Sequence, residues 1–290
     1  MNWQQTIAVP TQVQGVGYWS GLDVNVEFHP AEPNTGIVFV RRDLKGSPRI
    51  PALVDFRTDT PRRSDLECDG VKVEMIEHVM AALSGLGIDN CEIHVTQSEM
   101  PGCDGASRMF VNALQTSRIV QQSVTRRPHM VLAPLRVGDE RCWIEVKPAY
   151  DGRTTLTYDL DYGAGSPIHR QCMSIELTPE NFVREIAPAR TFLLKSEADA
   201  ILAMGIGTKT SPKDLLVFDE NGPIGNKLRF ENECVRHKLL DMIGDLALAG
   251  CRLTGHFRAY RTGHHHNAML VKQILDQAAI HSRRRMLRCA

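Results

Sequence analysis

Several features are missing from this 290-residue sequence. No window holds the roughly 18 uninterrupted apolar residues that a membrane-spanning helix needs. The N-terminal segment has no cationic stretch followed by an apolar core, so we expect no secretory signal. The eight cysteines show no CxxC spacing, which argues against a zinc ribbon or a disulfide framework and favours a reducing cytoplasm. Acidic and basic side chains balance at 34 each, which gives little support for a nucleic-acid partner.

What is present is ordinary globular composition, with 42% hydrophobic and 23% charged residues. The length predicts two modest domains. An internal echo supports this division, because residues 26–31 read VEFHPA and residues 144–149 read IEVKPA. Each segment precedes an alternating run, at 36–40 and at 155–158, that is typical of a strand. We interpret the echo as a duplication rather than as a chance match between strand-rich segments.

Each half then contains a candidate amphipathic helix that carries a histidine near its start. The first helix is predicted at residues 76–86 and the second at 232–249, with Gly87 and Gly250 as left-handed caps. The predicted fold is α+β: two duplicated sheet-plus-helix domains packed with their helices facing each other. The domains are predicted at 1–126 and 127–290, and a strand–helix–strand insert at about 191–230 enlarges the second.

The strongest local motif is His237-Lys238-Leu239-Leu240-Asp241, followed by Asp245 one turn later. In a helix these polar residues share one face, so His237 and Asp241 can reach the same metal ion. A His–Asp pair on a solvated helix surface explains the same spacing equally well.

The first half supplies Glu77-His78 at the start of its predicted helix. A carboxylate beside a metal-ligating histidine is the arrangement that a general base needs, whereas a favourable charge at a helix N-terminus is the simpler explanation. An HExxH motif is absent, so the chain is not a zincin. Together the halves offer His78, His237 and Asp241 with a fourth position open, which is typical of a catalytic zinc.

A third cluster follows the segment Tyr260-Arg261-Thr262-Gly263, which we interpret as a strand ending in a tight glycine turn. One histidine of the run 264–266 could protonate a leaving amine, with Asp245 to orient it. An exposed histidine tract or an adventitious metal binder is the alternative. The hydroxyl of Thr191 could donate to an oxyanion.

These residues resemble the UDP-3-O-acyl-N-acetylglucosamine deacetylases of lipid A biosynthesis, and the resemblance runs almost end to end. Its motifs occur in the family order and are Gly15-Val16-Gly17, Glu77-His78, Gly85-Leu86-Gly87-Ile88-Asp89-Asn90, Pro101-Gly102-Cys103-Asp104-Gly105, Ala189-Arg190-Thr191-Phe192, Leu228-Arg229-Phe230, Arg236-His237-Lys238 and Gly263-His264.

The resemblance implies a zinc-dependent deacetylase with Zn²⁺ on His78, His237 and Asp241. It further implies that the insert forms a passage for the acyl chain. The implied catalytic residues are Glu77 as general base, Thr191 at the oxyanion, and His264 as general acid or electrophile supported by Asp245. The implied substrate-binding residues are Lys238, Phe192, Gly263, Arg261 and Tyr162, with Tyr162 stacking on the uracil.

The resemblance also implies a UDP-linked acyl sugar as substrate. We further expect a cytoplasmic monomer with transient contact with the membrane surface and no nucleic-acid partner. The chain departs from the family at Trp19, where a histidine is usual, and at residues 205–212 of the insert, where a Gly-Gly-Ser stretch is usual. Two alternatives therefore stay open: a zinc amidohydrolase for a different acylated sugar nucleotide, and a non-catalytic paralogue.

Overall fold

The computed structural model describes residues 3–212 and 214–288 and has an α+β fold. The elements up to residue 125 are β1 Trp3–Ile7, β2 Thr11–Val16, β3 Asp23–Pro30, β4 Ile37–Arg41, β5 Arg49–Pro51, β6 Arg57–Thr58, β7 Asp65–Cys68, β8 Val71–Val73, α1 Glu77–Leu86, β9 Cys91–Val95, α2 Arg108–Thr116 and β10 Ile119–Thr125.

The following elements are β11 His129–Met130, β12 Leu135–Gly138, β13 Trp143–Lys147, β14 Thr154–Leu160, β15 Gln171–Glu176, α3 Pro179–Asn181, β16 Phe192–Leu194, α4 Lys195–Ala203, β17 Leu216–Asp219, β18 Gly222–Pro223, α5 Glu233–Leu246, β19 Leu253–Tyr260 and α6 His264–Arg288. Helix α3 continues as a π-helical turn, Phe182–Ile186, and 3₁₀ turns cover Val54–Phe56 and Ala247–Ala249.

Two five-stranded paths have the same topology. Their strand orders are β2-β3-β9-β4-β5 and β12-β13-β19-β14-β15, and short β11 also pairs with β19. In each path the third and fourth strands are parallel and the other neighbours are antiparallel. The echoed segments fall on β3 and β13, which are the second strands of the two paths. This equivalence supports the duplication, while the boundary between residues 126 and 127 stays a prediction.

The sheets face the core on one side, because their strands alternate between apolar and polar residues. In β3, Val24, Val26 and Phe28 are buried, whereas the side chains between them point outward and are partly exposed. This alternation orients the polar residues of β3 and β9 toward solvent.

Helices α1 and α5 pack against each other, as the sequence predicts. Both end in left-handed glycines, Gly87 at φ 74° and Gly250 at φ 68°, although a 3₁₀ turn separates α5 from Gly250. A Cβ built on Gly244 would lie only 2.1 Å from the carbonyl oxygen of Glu77. The absence of that Cβ lets the two backbones approach closely enough to bring their histidines together.

The segment 192–223 forms the small sheet β16-β17-β18, in which α4 connects the parallel strands β16 and β17. This arrangement matches the strand–helix–strand unit that the sequence predicts. A search of the described residues finds no helix with both the length and the apolar character needed to span a bilayer.

The turn before α6 differs from the expectation. Strand β19 ends at Tyr260, and the left-handed residue is Arg261 at φ 55° rather than Gly263. The reversal is therefore complete before Gly263, and His264 begins the helix.

Candidate metal centre and active site

The centre of the site is a cluster of three buried side chains from two helices. His78 is the second residue of α1, and His237 and Asp241 lie one turn apart on α5. One ligand atom from each of the three lies within 4.8 Å of the others. Asp241 Oδ1 is 3.3 Å from His237 Nε2 and 3.9 Å from His78 Nε2. The structure thus brings together the three residues predicted as ligands.

The protonation states of the three residues suit a cation. Burial lowers the pKa of His78 to about 3 and also lowers the pKa of His237, so both imidazoles are neutral at pH 7. His237 Nδ1 lies 3.1 Å from the carbonyl oxygen of Ala189, and a hydrogen bond donated there leaves the Nε2 lone pair free. Burial alone would raise the pKa of Asp241, but the Lys238 ammonium at 2.6 Å and the neighbouring imidazoles together outweigh burial, lower the pKa and keep the carboxylate ionised. Two neutral imidazoles and one carboxylate are a donor set that zinc accepts.

Glu77 lies beside the cluster with its carboxylate fully enclosed. Burial raises its pKa to about 7, although the nearby His264 opposes the shift. The backbone N–H of Ser64 donates to Glu77 Oε2 at 3.0 Å and fixes that oxygen. A carboxylate that titrates near neutral pH can both accept and return a proton, as a general base must.

His264 contacts a second buried carboxylate, that of Asp245. The His264 Nδ1 atom is 2.9 Å from Asp245 Oδ2, and both side chains are buried. Burial would lower the pKa of His264, but the surrounding carboxylates, chiefly Asp245 and then Asp241 and Glu77, together outweigh burial and raise the pKa to about 9. His264 is therefore an imidazolium at neutral pH and can donate a proton.

The two following histidines have different environments. His265 Nδ1 contacts the exposed carboxylate of Asp59 at 2.9 Å, and His266 Nδ1 lies 3.7 Å from the thiol of Cys142. Only the first histidine of the run meets Asp245.

Thr191 lies where β16 begins and lines two adjoining cavities. Its backbone N–H donates to the carbonyl oxygen of Gly105 at 2.7 Å, and its own carbonyl accepts from Leu216 N at 2.9 Å. These bonds tie Thr191 to the loop after β9 and to β17.

An apolar cavity of about 330 Å³ opens beside the cluster on the α4 side. Its apolar lining from the segment 192–224 is Leu193, Ala198, Ile201, Leu202, Ile206, Pro212, Leu215, Val217 and Ile224. Trp19 also lines this cavity, with the Arg63 guanidinium 4.9 Å from its ring centre.

A more polar cavity of about 720 Å³ adjoins the cluster on the other side. Four residues predicted to bind substrate line it, namely Tyr162, Phe192, Lys238 and Gly263. Arg261 does not belong to this lining; it is exposed, and its guanidinium lies 6.0 Å from the ring centre of Tyr260.

The sequence matches the UDP-3-O-acyl N-acetylglycosamine deacetylase family over residues 4–276. The chain belongs to this family. Relatives carrying the name UDP-3-O-acyl-N-acetylglucosamine deacetylase are similar along almost their whole length. The relative from Psychrobacter sp. (strain PRwf-1) is 35% identical over 94% of this chain and 92% of its own. Those from Thermosynechococcus vestitus and Shewanella frigidimarina are both 37% identical, over 94% and 96% of this chain and 94% and 91% of theirs.

Two further residues, not predicted from the sequence, donate hydrogen bonds to Asp245. The Ser64 hydroxyl donates to Asp245 Oδ1 at 2.5 Å, and the Asn267 amide donates to Asp245 Oδ2 at 2.8 Å. Asn267 lies three residues after His264, so helical spacing could have indicated it. Ser64 lies 181 positions from Asp245, and no local pattern connects them.

Proposed function

We propose that this protein is a zinc-dependent deacetylase that hydrolyses the N-acetyl group of UDP-3-O-acyl-N-acetylglucosamine and releases acetate. The observation that carries the proposal is the buried cluster of His78, His237 and Asp241 with Glu77 beside it. Family membership and the names of the relatives support the substrate.

His78, His237 and Asp241 are the proposed zinc ligands. Zinc held by these residues would polarise the acetamide carbonyl and make water a stronger nucleophile. Lys238 pairs with Asp241 at 2.6 Å, and this contact orients the carboxylate. The buried ammonium also faces the polar cavity, where it can contact the polar part of the substrate.

Glu77 is the proposed general base and accepts a proton from the attacking water. Its pKa of about 7 suits that task, since an ordinary glutamate, with a pKa of about 4.3, is a weaker base. The hydrogen bond from Ser64 N leaves Glu77 Oε1 for the water.

His264 is the proposed general acid for the leaving amine. His264 is protonated at neutral pH, and Asp245 holds its ring in position. Ser64 and Asn267 donate the other hydrogen bonds to the Asp245 carboxylate. Thr191 is the proposed donor to the developing oxyanion, because it lies between the two cavities beside the cluster.

The two cavities suit the two ends of the substrate. The apolar cavity beneath α4 is proposed to receive the acyl chain. Each methylene buried there would contribute about 0.8 kcal/mol to the binding free energy. The polar cavity, with Phe192, Tyr162 and Gly263, is proposed to receive the sugar nucleotide. Arg261 is proposed to contact the nucleotide from its exposed position two residues before Gly263.

The proposed reaction takes place in the cytoplasm, and the free thiols of all cysteines in the described ranges fit a reducing compartment. The amphiphilic substrate implies transient contact with a membrane surface. We propose a monomer, since both cavities and the metal cluster are complete within one chain.

The direct test measures acetate release from UDP-3-O-acyl-N-acetylglucosamine with several acyl lengths, before and after chelation and after zinc is restored. We expect activity to be lost on chelation and to return with zinc, and Asp241→Ala to lose both metal and activity. Asp276→Ala removes an exposed carboxylate of α6 and serves as the control.

Full activity in Asp241→Ala or in the chelated protein would contradict the metal assignment. Zinc binding without turnover at any acyl length would instead favour a different acylated sugar nucleotide. Trp19 in the apolar cavity is the observation that makes this alternative worth testing. Weak zinc binding together with no turnover would favour a non-catalytic paralogue.

A further inference from the structure

A second group of metal-ligating side chains lies on the outward face of the first sheet. Glu27 and His29 extend from β3 and His94 extends from β9, with one ligand atom of each within 4.8 Å of the others. None of the three lines the cavities beside the candidate active site. We propose that Glu27, His29 and His94 form a separate surface site for a divalent transition-metal ion.

Strand register produces this group. Glu27 lies directly opposite His94 across the antiparallel pair β3–β9, and His29 lies opposite Glu92. Residues two apart on one strand share a face, so all four side chains point outward together. The imidazole rings of His29 and His94 stack with centres 4.1 Å apart and planes at 28°.

The ring nitrogens are turned toward carboxylates. His29 Nε2 lies 3.1 Å from Glu27 Oε2, and His94 Nε2 lies 3.2 Å from Glu92 Oε2. Glu92 is already engaged by the Arg49 guanidinium at 2.6 Å, whereas the other oxygen of Glu27 receives only a neutral amide, from Asn25 at 3.1 Å. Glu27 is therefore the carboxylate that a cation would recruit.

The chemistry of these donors selects the class of ion. Two imidazoles with one carboxylate suit zinc, nickel, cobalt or copper, whereas magnesium and calcium prefer all-oxygen sites. The side chains of His29 and Glu27 are 28% and 43% exposed, so an ion can enter from solvent and keep water ligands. Strands β3 and β9 are interior strands of their sheet, so the backbone that carries the ligands is held by pairing on both sides.

The test is equilibrium dialysis of the whole protein against a series of free zinc concentrations, with elemental analysis of bound metal. We expect a weaker second ion per chain in the wild type, lost in His29→Gln and in His94→Gln while the tighter ion and the deacetylase rate stay unchanged. His256→Gln is the matched control, because His256 is also an exposed sheet histidine but bonds to the Thr155 hydroxyl. Asp241→Ala should lose the tighter ion and retain the weaker one, which separates this proposal from the catalytic assignment.

Copper provides a second readout. The electron paramagnetic resonance spectrum of Cu²⁺ at the weaker site should show coupling to two imidazole nitrogens in the wild type, and this spectrum should be absent from either single variant. The proposal is overturned if the wild type takes up no second ion, or if the second ion persists in the His29→Gln/His94→Gln double variant. Loss of the second ion in His265→Gln instead would assign it to the first turn of α6, where His265 contacts Asp59.

Discussion

Gly244 is a position at which the proposed active site is sensitive to a single added methyl group. A Cβ at this position would lie 2.1 Å from the Glu77 carbonyl oxygen and 2.9 Å from its carbonyl carbon. A carbon–oxygen contact normally needs about 3.3 Å, so α1 and α5 must separate by about 1 Å in Gly244→Ala. Separation moves Glu77 and His78 away from His237 and Asp241, which lie on the other helix.

Two effects of known size follow from this displacement. Overpacking of a buried contact costs about 1–3 kcal/mol, which outweighs the gain of up to about 1 kcal/mol from replacing glycine in a helix. A displacement of about 1 Å between catalytic groups reduces the rate by about 100-fold. We therefore expect Gly244→Ala to lower Tm by several degrees, to weaken zinc retention and to reduce kcat/KM by about two orders of magnitude.

The assay combines thermal unfolding, bound zinc and acetate release on the same preparations. Gly263→Ala is the control for Tm and zinc content, because nothing lies within 4 Å of its added methyl and its φ is not positive. A Gly244→Ala protein with the wild-type Tm, zinc content and rate would refute the argument that this close approach of helices sets the site.

Three other predictions concern buried carboxylates. His264→Ala should remove the basic limb of the kcat/KM profile, since the carboxylates around His264, chiefly Asp245, together outweigh burial and raise its pKa to about 9. The stability from this pair is fully present below the ordinary histidine pKa of about 6.5 and is lost as pH rises through about 9, so unfolding curves of both proteins that stay parallel from pH 6 to 10 would contradict it. Ser64→Ala removes one charged hydrogen bond to Asp245 and should lower the free energy of unfolding by about 1.5–3 kcal/mol in urea unfolding. Glu233→Gln breaks the buried Arg190 ion pair, whose side chains are 0% and 5% exposed, and should cost about 3–5 kcal/mol of unfolding free energy; a loss below 1 kcal/mol would argue against it.

Helical spacing in the sequence alone predicted which residues of α5 could act together and where α1 and α5 end. His237 and Asp241 share a face whatever the tertiary structure, and Gly87 and Gly250 end their helices as predicted. The strand–helix–strand unit was also predictable, because the apolar run at 215–218 follows the amphipathic segment that became α4. The expected glycine turn was wrong in detail, since Arg261 takes the left-handed conformation, and residue preference gives little warning of that.

The sequence by itself determined which side chains could act, because periodicity fixes which residues share a face within one helix or strand. Only the tertiary structure decided which of them meet. It buried His264, the histidine that the family resemblance implied, against Asp245, and it brought Ser64 to that same carboxylate from 181 residues away. The raised pKa of Glu77 has the same origin, since desolvation depends on what every neighbouring element covers and is not a property of any local motif.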